Sequence, residues 1–484
     1  MNAQGNHNAD MHSQLRTDNV RLHSDIIRLS TELKTLRVLL ASERSGEQEL
    51  EQLRQSLFEA RYTSKQITVA RDRPTIDISS ISFLLQNAVA RLSERNAAGD
   101  GVVDLEALSD IMSFDVVDGV RLGCELVKTG LRRGLFIVNS AFEFKPEYNQ
   151  RPIALAKEAA AAGYFVIFAA WQWDPEEKLK HRGRIFGGSV LEIGRFDLEL
   201  LEKLVREAAL ESEGTYLLTL PSEDFVEFVP TAQSLGFKVI YDIMDEWEEF
   251  SEVGQAVWWR EEFELRAIQA SDKVTAVSNV LAEKFSLLRT DIVCIPNGLR
   301  GMSHREHFVS NRNHSPNDKI VAGYFGHLTD AWFDWPAVLD LASGNPDIEL
   351  RLVGYGEPEW VRERIQSLPN VKLLGFIPAD QLAEVASTWH VALIPFVNGP
   401  LVRAVDPIKI YEYLYFGLPV IASGMPHLAN YPETIALQSL GDSGQLIKEV
   451  FARICAGELD YSAMASFTSA SLWRERFAAL VAPK

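Results

Sequence analysis

The sequence predicts an α/β protein: two consecutive doubly wound, Rossmann-like domains preceded by an N-terminal α-helical coiled coil. Three observations predict it. Leucines at 15, 22, 29 and 36 stand seven apart, a spacing that keeps an apolar seam on one side of a helix. From Gly134 onward, short apolar strand-like runs alternate with amphipathic helical ones, the pattern of a parallel sheet covered on both faces. After a polar stretch from Ser303 to Asp318 the same rhythm starts again, which divides the α/β part in two.

With the leucines at d positions, Asn19, Ile26, Leu33 and Leu40 fall at a. An asparagine at a single a position commonly sets register and strand number. Glu43 interrupts the d series, and Leu50 and Leu57 resume it. Residues 1–70 are thus predicted to form a coiled coil, with a homo-oligomer assembled through residues 11–57. A long helix lying on the chain's own globular part stays open as the other reading. Residues 71–132 are expected to form a helical connector, amphipathic over Ile81–Leu92 and looped at Asn96–Gly101.

The first Rossmann-like domain is expected over 133–302. Its strands are Leu135–Val138, Tyr164–Ala170, Tyr216–Leu220, Phe237–Met244, Lys273–Val277 and Ile292–Ile295, with helices over Pro152–Ala162 and Leu198–Leu210. Gly163 ends the first of these helices. The second domain is expected over 318–484. There, strands Ile320–Phe325, Ile348–Val353, Val371–Leu374 and Val391–Phe396 alternate with helices Trp335–Ala342, Trp360–Ser367 and Asp380–Ser387. Ser471–Leu480 reads as an amphipathic helix able to pack back across the cleft. Paired domains of this kind hold a ligand between them, at the carboxyl ends of their strands.

Composition limits the partners. The 484 residues carry a formal net charge of −19, which argues against nucleic acid and against a generally basic, membrane-adsorbing surface. Lys128, Arg132 and Arg133 form the best basic patch, and it is small. The cysteines (124, 294 and 455) lack metal-ligand spacing and suit a reducing compartment. No run approaches the ~18 apolar residues of a spanning helix. The expectation is a soluble cytoplasmic protein, with at most peripheral contact at the inner face of the plasma membrane.

The chemistry concentrates in Val405–Ser423. Asp406 is expected as N-cap and Pro407 at the first helical position. Lys409 then falls in the first turn and Glu412 one turn further on the same face. Gly417 and Pro419 end the helix before the strand Pro419–Ser423. A lysine beside helical N–H groups suits a diphosphate, and a carboxylate one turn on suits a pair of sugar hydroxyls.

Further segments line up with these. Residues 134–484 resemble GT-B glycosyltransferases, most closely the large retaining family four and related bacterial surface-polysaccharide transferases. The resemblance rests on Asn149–Leu155 with Ala162-Gly163, Val239–Glu246, Ala270–Ser278 with Ile295-Pro-Asn-Gly298, Leu352–Gly356 and Pro407–Pro419, in family order. It implies a nucleoside diphosphate sugar as donor and co-substrate, with no further cofactor, and a glycan or lipid-linked acceptor. Glu412 matches the second glutamate of the E-x7-E motif and would hold the ribose. Lys409 and Arg403, the latter in the preceding loop, would meet the diphosphate. Gly354 and Gly356 would let backbone approach the nucleotide, Phe376 and Ile377 lie where the base is held, and His327 borders the donor sugar. Asp245, with Glu246 behind it, is the candidate general base should the reaction invert configuration; capping of the next helix is its structural alternative.

The sequence also departs from the family. The position of the first E-x7-E glutamate is Ala404, and the loop Gly326–Asp334 lacks the basic residue many relatives use on the diphosphate. No D-x-D occurs, so metal-independent transfer is expected; retention of configuration is what the resemblance implies. Two other readings stay open: a nucleotide-sugar epimerase on the same fold, and a non-catalytic scaffold recruiting a partner through its coiled coil. A dinucleotide-dependent dehydrogenase is disfavoured, because Gly354–Glu359 lacks the third glycine of that fingerprint.

Overall fold

The computed structural model describes residues 115–210, 214–301, 314–379 and 381–483. The predicted coiled coil, its oligomer and the connector up to residue 114 lie outside them. The chain divides into two compact units. One of them contributes only residues 172–178 to the described part, a turn in which Asp174 Oδ1 accepts the N–H groups of Glu176 and Glu177, both at 2.9 Å. The other unit holds both sheets.

The first sheet is built by α1 (Val116–Lys128), β1 (Leu135–Ser140), α2 (Arg151–Ala161), β2 (Phe165–Ala170), β3 (Ile185–Phe186), β4 (Val190–Gly194), α3 (Leu198–Ala208), β5 (Gly214–Leu218), α4 (Glu223–Ser234), β6 (Phe237–Ile243), α5 (Trp247–Glu252), α6 (Glu261–Ala270), β7 (Lys273–Ala276), α7 (Asn279–Lys284) and β8 (Val293–Cys294). Its strand order is β3-β4-β2-β1-β5-β6-β7-β8. All pairings are parallel except the short β3–β4 hairpin at the edge. β1 and β2 are buried along their whole length, which is why they read as unbroken apolar runs. The helix α1, assigned to the connector by sequence, instead packs on this sheet: Val120, Cys124 and Val127 share a core with Phe165, Ile167 and Leu191.

The second sheet follows with β9 (Ile320–His327), α8 (Trp335–Gly344), β10 (Ile348–Tyr355), α9 (Glu359–Ile365), β11 (Val371–Gly375), α10 (Leu382–Ala386), β12 (Val391–Pro395), α11 (Pro400–Ala404), α12 (Ile408–Tyr415), β13 (Val420–Ser423), β14 (Thr434–Leu437), α13 (Gly444–Ala456), α14 (Tyr461–Ala470) and α15 (Trp473–Val481). The order β11-β10-β9-β12-β13-β14 is parallel throughout. Strand order reverses between β9 and β12, the topological switch point, so the crevice of this domain opens at their carboxyl ends.

The C-terminal helix α15 belongs by contact to the first sheet. Trp473, Phe477 and Leu480 are buried with Phe136, Ile153 and Val166. Leu299 and Leu472 pair as an isolated bridge, with Leu299 N–H donating to Ser471 O at 2.7 Å and Trp473 N–H to Leu299 O at 3.1 Å. Lys273 closes the helix by donating to the carbonyls of Ala479, Leu480 and Ala482 at 2.9–3.1 Å, as a cation at a helix C-terminus does.

Candidate functional site

Helix α12 is where the chemistry gathers, and its start differs from the sequence expectation. Pro407 is the N-cap residue and makes no side-chain cap bond. Asp406 does not cap at all. It is buried and accepts from Asn297 N–H at 2.7 Å, Tyr411 Oη at 2.8 Å and Tyr431 Oη at 3.0 Å. A carboxylate with three donors inside the protein serves better as a bolt than as a cap. Because Asn297 belongs to the Pro-Asn-Gly segment after β8, Asp406 ties the two domains together. Ser278 Oγ does the same by donating to Ala404 O at 2.6 Å. Ala404 is fully buried in the first domain's core, so the missing E-x7-E glutamate is replaced by packing.

The chain then places Lys409 over the crevice. Its Nζ lies 5.4 Å from the Tyr324 ring centroid and 4.9 Å from that of Phe396, and it makes no hydrogen bond or ion pair among the described residues. Burial pushes its pKa down to about 8, and the Glu412 carboxylate works against that. Tyr413 pins the helix to β9, its hydroxyl accepting Phe325 N–H at 2.9 Å. Glu412 is half-buried. Burial pushes its pKa up to about 7, opposed by a hydrogen bond from Asn149 Nδ2 at 3.2 Å and by Lys409.

Two glycines make the crevice floor. Gly326, at φ +144°, would carry a Cβ 2.8 Å from Tyr324 Oη and 3.1 Å from Lys409 Cε, and Gly354, at φ +140°, one only 1.8 Å from Gly326 O. The clash at Gly354 is with backbone, so no rotamer relieves it. Gly354→Ala is therefore expected to destabilise the second domain by roughly 2–4 kcal/mol, read as a drop in its denaturant midpoint. Unchanged stability would show that β9 and β10 do not approach in this way.

His327 ends β9 beside this floor. Its ring lies 5.0 Å from that of Tyr355 and 5.4 Å from that of Trp332, and its Nδ1 is buried without a hydrogen-bond partner. Burial lowers its pKa, so the neutral ring is favoured. Tyr355 in turn lies 6.5 Å from Phe376, and both rings are 60% exposed, which leaves two aromatic faces at the carboxyl ends of β10 and β11. Ile377 is half-buried against the core and offers no such face.

Lys409, Gly326, Gly354, His327, Tyr355 and Phe376 thus follow one another by near contact at the carboxyl ends of β9, β10 and β11, with Glu412 next to Lys409 on α12 and Gly356 beside His327, 2.8 Å from its would-be Cβ. Arg403 stands apart from the expectation: it lies on α11, not in a loop, and is exposed with its guanidinium on Asn398 Oδ1 at 2.9 and 3.1 Å. Asp245 follows β6 on the facing domain. Burial pushes it up to about 7, with Arg151 lowering and Glu246 raising it. It does not cap α5, whose N-cap is Glu246 without a side-chain bond. Glu246 is itself engaged by Lys284. Phe250 of α5 meets Trp332 at 5.9 Å across the domains.

Sequence reasoning missed Gly326, Tyr355, Asn149 and Trp473 as site residues. Gly326 follows an apolar run and precedes polar residues, a signal for close backbone approach that was available. Asn149 was legible only as the approach to a helix. A separate cluster, His314, Asp318 and His390, brings one ligand atom from each within 4.8 Å. There, however, His390 Nδ1 accepts Val321 N–H at 2.9 Å, which places the neutral ring's proton on Nε2. A ligating histidine keeps one nitrogen bare for the metal and donates from the other, so the arrangement does not suit a metal.

Residues 330–451 match the family described as glycosyl transferases group 1. TuaH of Bacillus subtilis (strain 168), a protein named as a teichuronic acid biosynthesis glycosyltransferase, is 25% identical over 178 residues, 34% of this chain and 43% of TuaH. The chain thus aligns with less than half the length of that relative. Among solved structures, the lipopolysaccharide outer core galactosyltransferase WaaB in its apo form is similar with a TM-score of 0.51 and 12% identity, covering 72% of this chain and 99% of that one. The N-terminal domain of the Candida albicans trehalose-6-phosphate phosphatase gives 0.52 and 11%, covering 72% and 96%. The chain has the GT-B glycosyltransferase fold, and its residues 330–451 match the glycosyl transferases group 1 family.

Proposed function

We propose that this protein transfers a sugar from a nucleoside diphosphate sugar to a glycan or lipid-linked acceptor in bacterial surface-polysaccharide synthesis, at the cytoplasmic side of the membrane. The observation that carries the reading is the pair Lys409 and Glu412, side by side at the β9/β12 crevice inside the family-matched segment. Lys409 stabilises charge growing on the leaving diphosphate, Glu412 receives the ribose hydroxyls, and the Tyr355 and Phe376 rings offer faces for the base. The ammonium and the α12 N-terminus take the place of a metal. Configuration is retained, the leaving phosphate accepting the acceptor's proton. Asp245 becomes the base only in an inverting reaction. No described helix is long and apolar enough to cross a membrane.

The test is release of nucleoside diphosphate from UDP-, GDP- and dTDP-sugars over an acceptor panel, with and without EDTA. Turnover that EDTA leaves intact supports the proposal. Donor binding without turnover on any acceptor moves the scaffold reading forward, and loss of turnover in EDTA removes metal independence.

A further inference from the structure

Glu412 is the only member of the crevice that a residue of the other domain reaches through a hydrogen bond among the described residues. Asn149, just before α2, donates from Nδ2 to Glu412 Oε1 at 3.2 Å and accepts on Oδ1 from the Trp473 indole N–H at 2.7 Å. An indole can only donate. It therefore fixes which end of the amide is oxygen and turns the NH₂ toward Glu412. The helix start that carries this amide and the indole that donates to it are themselves held. Arg151 anchors the start of α2 through a buried bidentate pair with Asp242 at 2.6 and 2.9 Å. Trp473 is anchored by the backbone bonds to Leu299.

We infer that Asn149 is a positioning residue of the donor site: presented by the first domain and oriented by Trp473 of the C-terminal helix, its amide aims the Glu412 carboxylate at the ribose. The donor site is then complete only while the two domains and α15 are docked. The inference rests on the reading that Glu412 holds the ribose.

The amide also bears on protonation. The charged and titratable groups facing Glu412 are Lys409 on its own helix and the neighbouring Tyr413, whereas the first domain and α15 present the neutral Asn149 and Trp473. Burial raises the Glu412 pKa, and the Asn149 N–H is the largest influence holding it down. Removing that donor favours the protonated acid, which accepts ribose hydroxyls less well.

The experiment is titration calorimetry of the full chain with UDP, GDP and dTDP from about pH 6 to 9, on wild type, N149A, W473F and E412Q. In wild type, affinity for the nucleotide that binds should fall on the acid side, as Glu412 takes a proton. E412Q should bind weakly at every pH and lack that acid limb. N149A should move the limb to higher pH, weakening binding at pH 7 about three- to ten-fold and converging on wild type above it. W473F, which keeps one buried aromatic ring but no indole N–H, should shift the limb the same way by less. A limb that stays in place in both N149A and W473F, even with uniformly weaker binding, overturns the inference and leaves the ribose assignment standing. If E412Q binds like wild type, or no nucleotide binds wild type, the ribose assignment itself fails and this inference with it.

Discussion

Lys409→Ala is expected to lower kcat/KM for glycosyl transfer by about 10²–10³, the loss seen when a preorganised donor to a developing oxyanion is removed. Nothing else among the described residues replaces it. The Gly326–Asp334 loop carries no Lys or Arg, and Arg403 is turned to Asn398. The Lys409 ammonium sits against the rings of Tyr324 and Phe396, and its Cε passes the bare face of Gly326. Lys409→Arg keeps the charge but must fit a broader guanidinium into that slot, so rescue should be partial. Both ends of the pair also set a pH window. Glu412, raised to about 7, must be ionised to accept hydroxyls, so activity falls as pH drops through that value. Lys409, lowered to about 8, must be protonated, so activity falls as pH rises through it. The pair interacts, and the bell-shaped profile reports the pair rather than either residue alone. A K409A enzyme within ten-fold of wild type would remove Lys409 from the chemistry.

Asp242→Ala is expected to destabilise the first domain by roughly 3–5 kcal/mol, because it strands a guanidinium in the interior. Arg151 and Asp242 are 3% and 0% exposed. The carboxylate also accepts from Thr275 Oγ1 at 2.6 Å, and the guanidinium reaches Pro296 O at 3.1 Å and Asn297 Oδ1 at 3.2 Å. The pair therefore joins α2, β6, β7 and the Pro-Asn-Gly segment, and through Asn297 it reaches Asp406 of the other domain. Guanidinium unfolding of the variant should show the loss. The double variant R151M/D242L should recover most of it, since replacing both charges leaves neither buried alone. If D242A melts like wild type, the pair does not hold this junction together.

Much of this architecture was legible because parallel strands buried on both faces leave unbroken apolar runs. Phe165–Ala170 and Val391–Pro395 are such runs and occur where expected. Elements without that signature were not read. β3 is two residues long, β4 carries the buried Glu192 within its span, and α4 contains Pro230. β14 is only half-buried along its length and lies at the sheet's edge. The site divides in the same way. Lys409 and Glu412 share one helix, so local spacing suffices to pair them. Asn149 and Trp473 lie 324 positions apart, and their meeting at Glu412 depends on the C-terminal helix returning to the first domain. Asp406 shows the limit of local rules: its sequence context favours a cap, but burial between domains gave its oxygens stronger partners.

The central claim is that the β9/β12 crevice binds a nucleoside diphosphate through Lys409 and Glu412. Thermal melting of wild type, K409A and E412A with UDP, GDP, dTDP and CMP tests it directly, since a ligand at 100 times its Kd adds about 2.7 kcal/mol to stability. The predicted result is a rise in wild-type Tm with one nucleotide, lost in both variants. A rise that survives both substitutions, or no rise with any nucleotide, would contradict it.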